Sequence, residues 1–280
     1  MNNSPIVFLD SGLGGLPYLD WIQKRLTSEN YIYVADTAHF PYGEKSTVEV
    51  KDIVLSLMEE IKIRFNPKIA VIACNTASVI ALKDLRKEFS IPFVGVVPAV
   101  KTAAEHSKKR IIGVLATERT VQDTYLENLI KKYASDCKIV RVSAGNIVRF
   151  VEEKFLSSDE MESAAIIEPA MNTFKNAGTD AIVLGCTHFI YLSELLMKYT
   201  DNGTEVIDSR EGVGNQIMRV LKNKNLFSKM KNEGNAEIYI TGERKDIKGR
   251  SSKDYEKIYN DFSKKLGFTY RGNMLREETT

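Results

Sequence analysis

Apolar residues recur along the chain in short uninterrupted runs, separated by longer stretches with helical periodicity. Such runs are typical of strands buried on both faces of a parallel sheet, where no polar face alternates with an apolar one. Strands are predicted at 6–9, 31–34, 69–73, 93–97, 111–115, 138–142, 181–184, 204–207 and 236–240. Because helical stretches lie between them, the pattern predicts α/β architecture with parallel sheets and right-handed crossovers.

Helix boundaries are signalled by capping residues. Two Ser-x-x-Glu segments, which start at Ser46 and Ser157, have the spacing of a capping box. The first predicts a helix that extends to about Phe65, and the second predicts one that Gly178 ends.

One segment of the chain repeats at a distance. The segments IAVIACNTAS (69–78) and DAIVLGCTHF (180–189) each contain an apolar strand, a small residue, a cysteine and then small polar residues. Cys74 and Cys186 therefore occupy equivalent positions at the end of a strand. Packing is the usual role of a buried cysteine, but two cysteines in equivalent positions favour a catalytic role. A helix that starts after each thiol favours its thiolate form. Cys137 has no such surroundings and is interpreted as structural.

A weaker similarity pairs 6–12 with 111–117, in the same order relative to the cysteine segments. We therefore predict two similar parallel-sheet α/β domains with a pseudo-two-fold relation and an active site in the cleft between them. The predicted domains are 1–97 with 209–280, and 98–208. Ligand sites in parallel sheets form beyond the carboxyl ends of strands. The polar and thiol side chains at such ends are Asp10, Ser11, Asp36, Cys74, Thr117, Cys186 and Asp208.

Composition excludes several classes of protein. The 39 basic and 37 acidic residues nearly balance and are scattered, which argues against a nucleic-acid partner. Three cysteines without a Cys-x-x-Cys pair suggest neither a disulfide framework nor a zinc site, so no metal is expected. The N-terminal segment lacks a signal-peptide pattern, and no apolar stretch is long enough to cross a bilayer. We expect a soluble, cytoplasmic protein with no membrane partner.

The glycine-rich segment DSGLGG (10–15) does not fit a nucleotide site. Pro17 stands where the dinucleotide pattern requires its third glycine, and the lysine of a P-loop is absent. The segment predicts a tight turn into a helix that begins at Pro17, where backbone N–H groups can approach a small anion. A plain turn explains the glycines but not Asp10 and Ser11. Asp10 either binds a substrate ammonium group or tunes Cys74, and the residues leave both roles open.

Three further positions have both a functional and a plain interpretation. His188 follows Cys186 by two residues and is a candidate helper of that thiol, although a lone histidine is more often structural. The loop FPYGEKS (40–46) either contacts substrate or is only a turn before a helix. Thr117 either binds a carboxylate or caps the helix that follows it.

Five motifs of this chain resemble those of the aspartate/glutamate racemase family, in the family's order, over about residues 6 to 245. They are DSGLGG (10–15), PYG (41–43), ACNTAS (73–78), GVLAT (113–117) and GCTH (185–188). The resemblance implies cofactor-independent interconversion of L-glutamate and D-glutamate for peptidoglycan synthesis, by a homodimer. It implies Cys74 and Cys186 as the catalytic pair, and Asp10, Ser11, Tyr42, Gly43, Asn75, Thr76, Thr187 and His188 at the substrate. Glu152 is expected to assist His188.

Racemisation removes the Cα proton on one face and returns a proton on the other, so it needs two acid/base groups. One cysteine would act as thiolate base while the other, protonated, supplies the proton, and the roles exchange in reverse. A cysteine hydrolase or acyl transferase that uses Cys186 and His188 is an alternative, but it leaves Cys74 without a role. A catalytically silent amino-acid-binding relative is another.

Overall fold

The computed structural model describes residues 3–243 and 252–275. Among these residues the chain forms two compact units, the first within Met1–Val96 and Arg210–Thr280 and the second within Val97–Ser209. The chain thus leaves the first unit after Val96 and returns to it at Arg210. The predicted division differs from these units by one residue at each junction.

The sheet of the first unit is entirely parallel among the described residues. Its strand order is β10-β9-β2-β1-β3-β4, with strands numbered along the whole chain. These strands are β1 (Ile6–Asp10), β2 (Tyr31–Ala35), β3 (Ile69–Ile72), β4 (Phe93–Gly95), β9 (Ala236–Ile240) and β10 (Thr269–Asn273).

The second unit also has a parallel sheet, with the strand order β6-β5-β7-β8 in its described residues. Its strands are β5 (Ile111–Ala116), β6 (Lys138–Ser143), β7 (Ala181–Leu184) and β8 (Glu205–Ile207). Two parallel-sheet α/β domains, as predicted, are therefore confirmed. The apolar runs located every strand except β10.

Helices join the strands in both units. In the first unit they are α1 (Leu16–Gln23), α2 (Thr47–Phe65), α3 (Asn75–Glu88), α10 (Arg210–Asn223) and α11 (Ser252–Leu266), with 3-10 turns at Thr37–His39 and Tyr42–Glu44. In the second they are α4 (Val100–His106), α5 (Glu118–Gln122), α6 (Thr124–Tyr133), α7 (Gly145–Glu153), α8 (Glu160–Ala177) and α9 (Ser193–Lys198), with a 3-10 helix at Thr187–Leu192. None of the helices in the described ranges is both long and apolar enough to span a membrane.

The capping signals were right for α2 and partly wrong for α8. At α2, the Glu49 N–H donates to Ser46 Oγ at 3.2 Å, and Glu49 accepts from the Ser46 N–H at 2.9 Å, which completes the predicted capping box. Gly178 ends α8 with a φ of +71°, as predicted. The N-cap of α8 is Asp159, however, because the Ser157 hydroxyl instead donates to the carbonyl of residue 154 at 3.0 Å. Helix α1 begins one residue before the predicted Pro17.

The core of each unit lies between its sheet and the helices packed on it. In the first unit, Val54, Met58 and Ile61 of α2 are fully buried and belong to one apolar cluster with Leu9 of β1 and Ile72 of β3. Full burial of each such side chain contributes roughly 1.5–3 kcal/mol. These contacts hold the strands whose carboxyl ends carry the polar motifs.

The repeat in the sequence corresponds to a repeat in topology. The order β2-β1-β3-β4 in the first unit matches β6-β5-β7-β8 in the second, so that β1 corresponds to β5 and β3 to β7. Backbone bonds beyond the strands match as well. The Asp36 N–H donates to the Asp10 carbonyl at 2.8 Å, and the Ala144 N–H donates to the Ala116 carbonyl at 2.9 Å.

Candidate active site

The two cysteines lie at the same backbone position in their respective units. Cys74 follows β3 and is the N-cap of α3, with φ −122° and ψ 127°. Cys186 follows β7 and is the N-cap of the 3-10 helix Thr187–Leu192, with φ −137° and ψ 137°. Each is 8% exposed. Each thiol therefore stands at the carboxyl end of a central strand, where parallel sheets bind ligands.

Close strand contacts explain the small residue before each cysteine. The N–H of Ala73 donates to the Leu9 carbonyl, and the N–H of Gly185 donates to the Leu115 carbonyl, both at 2.7 Å. A Cβ on Gly185 would lie 2.9 Å from the Cβ of Ala116, which real Cβ atoms do not tolerate. The backbone before each thiol is therefore held tightly against the neighbouring strand.

Cys186 lies beside a buried histidine, which in turn contacts a buried carboxylate. Its Sγ lies 3.8 Å from His188 Nδ1, and His188 Nε2 lies 2.7 Å from Glu152 Oε1. Glu152 comes from α7, and both side chains are at most 4% exposed. Burial alone lowers the pKa of His188, but the hydrogen bonds and negative charges of Cys186 and Glu152 raise it to about 10. At neutral pH the ring is therefore an imidazolium next to the sulfur of Cys186.

Asp10 ends β1 and is fully buried. Its Oδ1 accepts the N–H of Gly12 at 2.8 Å, and the Ser11 hydroxyl lies 3.4 Å from the same oxygen. The glycine turn and the start of α1 follow directly. The backbone of the turn therefore holds this carboxylate in place.

Tyr42 lies in the PYG loop and is buried. Its hydroxyl donates to Asp36 Oδ2 at 2.6 Å. Burial chiefly raises its pKa well above 10, and negative charge on Asp36, Cys74 and Asp10 adds to the rise. Tyr42 therefore stays protonated, and its hydroxyl is close enough to Asp36, Cys74 and Asp10 for their charges to act on it.

Asp36 ties this loop to the sheet. Its Oδ1 accepts the hydroxyl of Thr241, which follows β9, at 2.6 Å, and it also accepts from His39 Nδ1 at 2.9 Å. The sequence indicated Asp36 only as a strand end. Thr241 was not predicted, although its position directly after a strand is the signal that locates the other site residues.

Asn75 has a buried acceptor that lacks a partner within the described residues. The side chain is 5% exposed, and its Oδ1 makes no hydrogen bond to them. A buried polar atom left unpaired costs about 1–3 kcal/mol. Because Asn75 directly follows Cys74 and begins α3, a donor group on a bound ligand would satisfy this oxygen.

The other predicted residues divide between the units. Gly43 and Thr76 are partly exposed in the first unit, at the PYG loop and in the first turn of α3. Thr187 is 2% exposed and begins the 3-10 helix after Cys186. Thr117 caps α5, because its Oγ1 accepts the Thr120 N–H at 3.4 Å. Its capping role is thus observed, and its substrate role stays a prediction.

Cys137 lies away from these groups. It precedes β6, at the amino end of the second sheet, and its Sγ lies 3.7 Å from Asp136 Oδ1. Burial raises the pKa of its thiol. Its environment therefore favours the unreactive thiol. Over the described ranges, no group of three or more His, Cys, Asp or Glu side chains is arranged to hold a metal ion.

The chain is similar in sequence to known racemases. Residues 18–211 match the family model described as Asp/Glu/Hydantoin racemase. A glutamate racemase from Treponema pallidum is 36% identical over 238 residues, which are 85% of this chain and 87% of that protein.

Solved structures are similar as well. The Escherichia coli glutamate racemase in complex with L-glutamate has a TM-score of 0.80 and 30% identity, over 96% of this chain and 98% of that one. The Francisella tularensis glutamate racemase in complex with D-glutamate has a TM-score of 0.74 and 25% identity, over 99% and 98%.

Proposed function

The chain belongs to the Asp/Glu/hydantoin racemase family, and we propose that it interconverts L-glutamate and D-glutamate with Cys74 and Cys186 as its two acid/base groups. The observation that carries this proposal is the equivalent position of the two thiols, each after the corresponding strand of a repeated topology. Glutamate as substrate is supported by relatives of that name and by their complexes with L- and D-glutamate.

In the proposed reaction, a thiolate of one cysteine takes the Cα proton, and the electron pair of the broken C–H bond moves into the substrate carboxylate. The thiol of the other cysteine then gives its proton to the opposite face of Cα. The product is the other enantiomer, and the two cysteines have exchanged protonation states. The reaction therefore requires one thiolate and one thiol at the start.

The surroundings of the two thiols suit unequal roles. The His188 imidazolium, held by Glu152, stabilises negative charge on Cys186 and can return a proton to it. Cys74 shares its surroundings with the hydroxyl of Tyr42 and with Asp10. We assign Asp10 and Ser11 to the substrate ammonium group. Backbone N–H groups after each cysteine, with Asn75, Thr76 and Thr187, would stabilise charge that develops on the substrate carboxylate.

The remaining proposals concern the setting of the enzyme, and the family resemblance supports them. The enzyme acts in the cytoplasm as a homodimer, without a cofactor and without a nucleic-acid or membrane partner. Its D-glutamate supplies peptidoglycan synthesis. Sedimentation of the purified protein tests the dimer, and racemase activity after exhaustive dialysis against chelator tests the independence from added cofactors.

The two-thiol mechanism is tested by Cys74→Ser and Cys186→Ser, with Cys137→Ser as the matched control. Each enantiomer is incubated separately in deuterated water. Because the abstracting thiolate and the donating thiol are different groups, deuterium appears at first in the product enantiomer and not in the recovered substrate. Loss of one acid/base group should lower racemisation by about 10²–10⁴-fold in either active-site variant, while the control keeps its rate. Wild-type racemisation by either active-site variant would overturn the mechanism.

A second candidate function is favoured by one observation. Cys186, His188 and Glu152 have the order of a nucleophile, its base and the group that orients the base. A hydrolase or acyl transferase of this kind would need no Cys74. Full activity of Cys74→Ser towards an ester or amide of glutamate, without exchange of the α-hydrogen, would support this alternative against racemisation.

A further inference from the structure

A buried tyrosine hydroxyl lies inside the glycine turn that follows Asp10. Tyr33 is on β2, next to β1, and is 0% exposed. Its hydroxyl donates to the Gly12 carbonyl at 2.7 Å and accepts the Gly15 N–H at 3.0 Å. One side chain thus closes the turn from Gly12 to Gly15.

These bonds connect Tyr33 to the carboxylate of Asp10. The carbonyl of Gly12 accepts from the tyrosine, and the N–H of Gly12 donates to Asp10 Oδ1 at 2.8 Å. Rotation of the residue 11–13 backbone would weaken both bonds, because the two groups of Gly12 move with the same turn. The tyrosine therefore restricts the turn that aims the carboxylate.

The turn is shaped to admit this hydroxyl. A Cβ on Gly15 would lie 3.0 Å from the Tyr33 hydroxyl and 2.6 Å from the Cβ of Ala73, the residue before Cys74. Glycine at this position lets the turn approach both the tyrosine and the strand end that carries the thiol. A small displacement of the Tyr33 hydroxyl would therefore affect both the glycine turn and the strand end that carries Cys74.

We infer that Tyr33 is a positioning residue for racemisation, which acts by holding the Gly12 peptide so that the Asp10 carboxylate points at the substrate. The inference rests on the proposed role of Asp10 in binding the substrate ammonium group. It assigns a function to a side chain that none of the sequence motifs contains.

The chain offers a matched control in Tyr31, two residues earlier on the same strand and on the same face. Tyr31 is 1% exposed, and its hydroxyl donates to the Leu26 carbonyl at 2.8 Å. It differs in position, because it begins β2 and lies at the amino ends of the strands. Loss of either hydroxyl removes a hydrogen bond from a buried tyrosine to a backbone carbonyl.

The experiment compares Tyr33→Phe, Tyr31→Phe and Asp10→Asn in the full-length enzyme. The measurements are kcat and KM in both directions, together with the midpoint of urea unfolding. Displacement of a positioned group by about 1 Å costs up to 10²-fold in rate. We expect kcat/KM to fall about 10- to 100-fold in Tyr33→Phe and less than about 2-fold in Tyr31→Phe, although both variants lose stability. The parameter that changes most, KM or kcat, should be the same in Tyr33→Phe and Asp10→Asn.

Each outcome bears on one proposal. If Asp10→Asn is impaired but Tyr33→Phe matches Tyr31→Phe, the positioning role is wrong and the role of Asp10 stands. If Asp10→Asn keeps wild-type kinetics, the proposed role of Asp10 fails, and any loss in Tyr33→Phe must then have another cause. If Tyr33→Phe changes kcat while Asp10→Asn changes only KM, the path through Gly12 is overturned.

Discussion

The buried carboxylate of Glu152 should set the pKa of His188, with which it pairs. Replacement Glu152→Gln keeps the shape of the side chain and an acceptor oxygen near His188 Nε2, now at 2.7 Å, but it removes the negative charge. A hydrogen bond to a charged group contributes about 1.5–3 kcal/mol, against about 0.5–1.5 kcal/mol for a neutral one. The difference of roughly 1–1.5 kcal/mol corresponds to about one pKa unit.

In the wild type the pKa of His188 is about 10, because its hydrogen bonds to Cys186 and Glu152 outweigh the effect of burial. We expect Glu152→Gln to lower this pKa from about 10 to about 9. Nitrogen chemical shifts of the histidine ring, followed by NMR against pH, measure the change directly. If His188 supports the thiol, the alkaline limb of kcat should move down by the same amount, while activity near pH 7 changes little.

The same shift predicts how stability depends on pH. The folded pKa of His188 is raised to about 10, above the ordinary value of 6.5. The pair therefore contributes its full stability below about pH 6.5, and that contribution declines as pH rises towards 10. The difference in unfolding free energy between wild type and Glu152→Gln should be constant near neutral pH and should shrink as pH rises through the two folded pKa values, from about 9 to about 10.

The control is Glu205→Gln, at a solvent-exposed pair with His106 in the same unit. The two atoms of that pair are also 2.7 Å apart, but both side chains are about half exposed. Because water screens such pairs, the free energy of unfolding should change by less than about 1 kcal/mol. A His188 titration that is unchanged in Glu152→Gln, or a stability difference between the two proteins that does not fall above about pH 9, would contradict this explanation.

Two further substitutions test packing, one next to Cys186 and the other at the end of the first sheet opposite Cys74. Gly185→Ala forces a Cβ to within 2.9 Å of the Ala116 Cβ, so it should cost about 1–3 kcal/mol of unfolding free energy and most of the activity, measured by urea unfolding and racemase assay. Gly145→Ala, where a Cβ meets nothing within 4 Å, should leave both unchanged, and equal effects of the two would contradict this account. Lys68→Met breaks a fully buried ion pair with Glu29 at the amino end of the sheet. It should lower stability by about 3–5 kcal/mol while kcat stays within about 2-fold, and a large fall in kcat would show that the pair matters to the site.

The pattern of apolar runs was enough to predict the fold class and the position of both thiols at strand ends. Strands buried on both faces need continuous apolar runs, and those runs located β3 and β7 together with the cysteine that ends each. The sequence did not predict a strand or a helix boundary correctly where its local pattern was weak or ambiguous. The edge strand β10 has the sequence TYRGN, is only partly buried and has no apolar run. At α8, Asp159 and Ser157 were both capable N-caps, and only the folded loop decided between them.

Contacts between distant segments of the chain depend on the fold. The family resemblance suggested that Glu152 assists His188, but only the structure shows their contact across 36 residues of chain, and the contact of Thr241 with Asp36 across 205. Tyr33 reaches into a turn that begins 21 residues before it. Such pairs depend on how helices and loops pack against the sheet, which leaves no periodic pattern in the sequence. The proposed catalytic residues therefore lie in local motifs of the sequence, whereas the side chains that contact them come from distant segments that folding brings together.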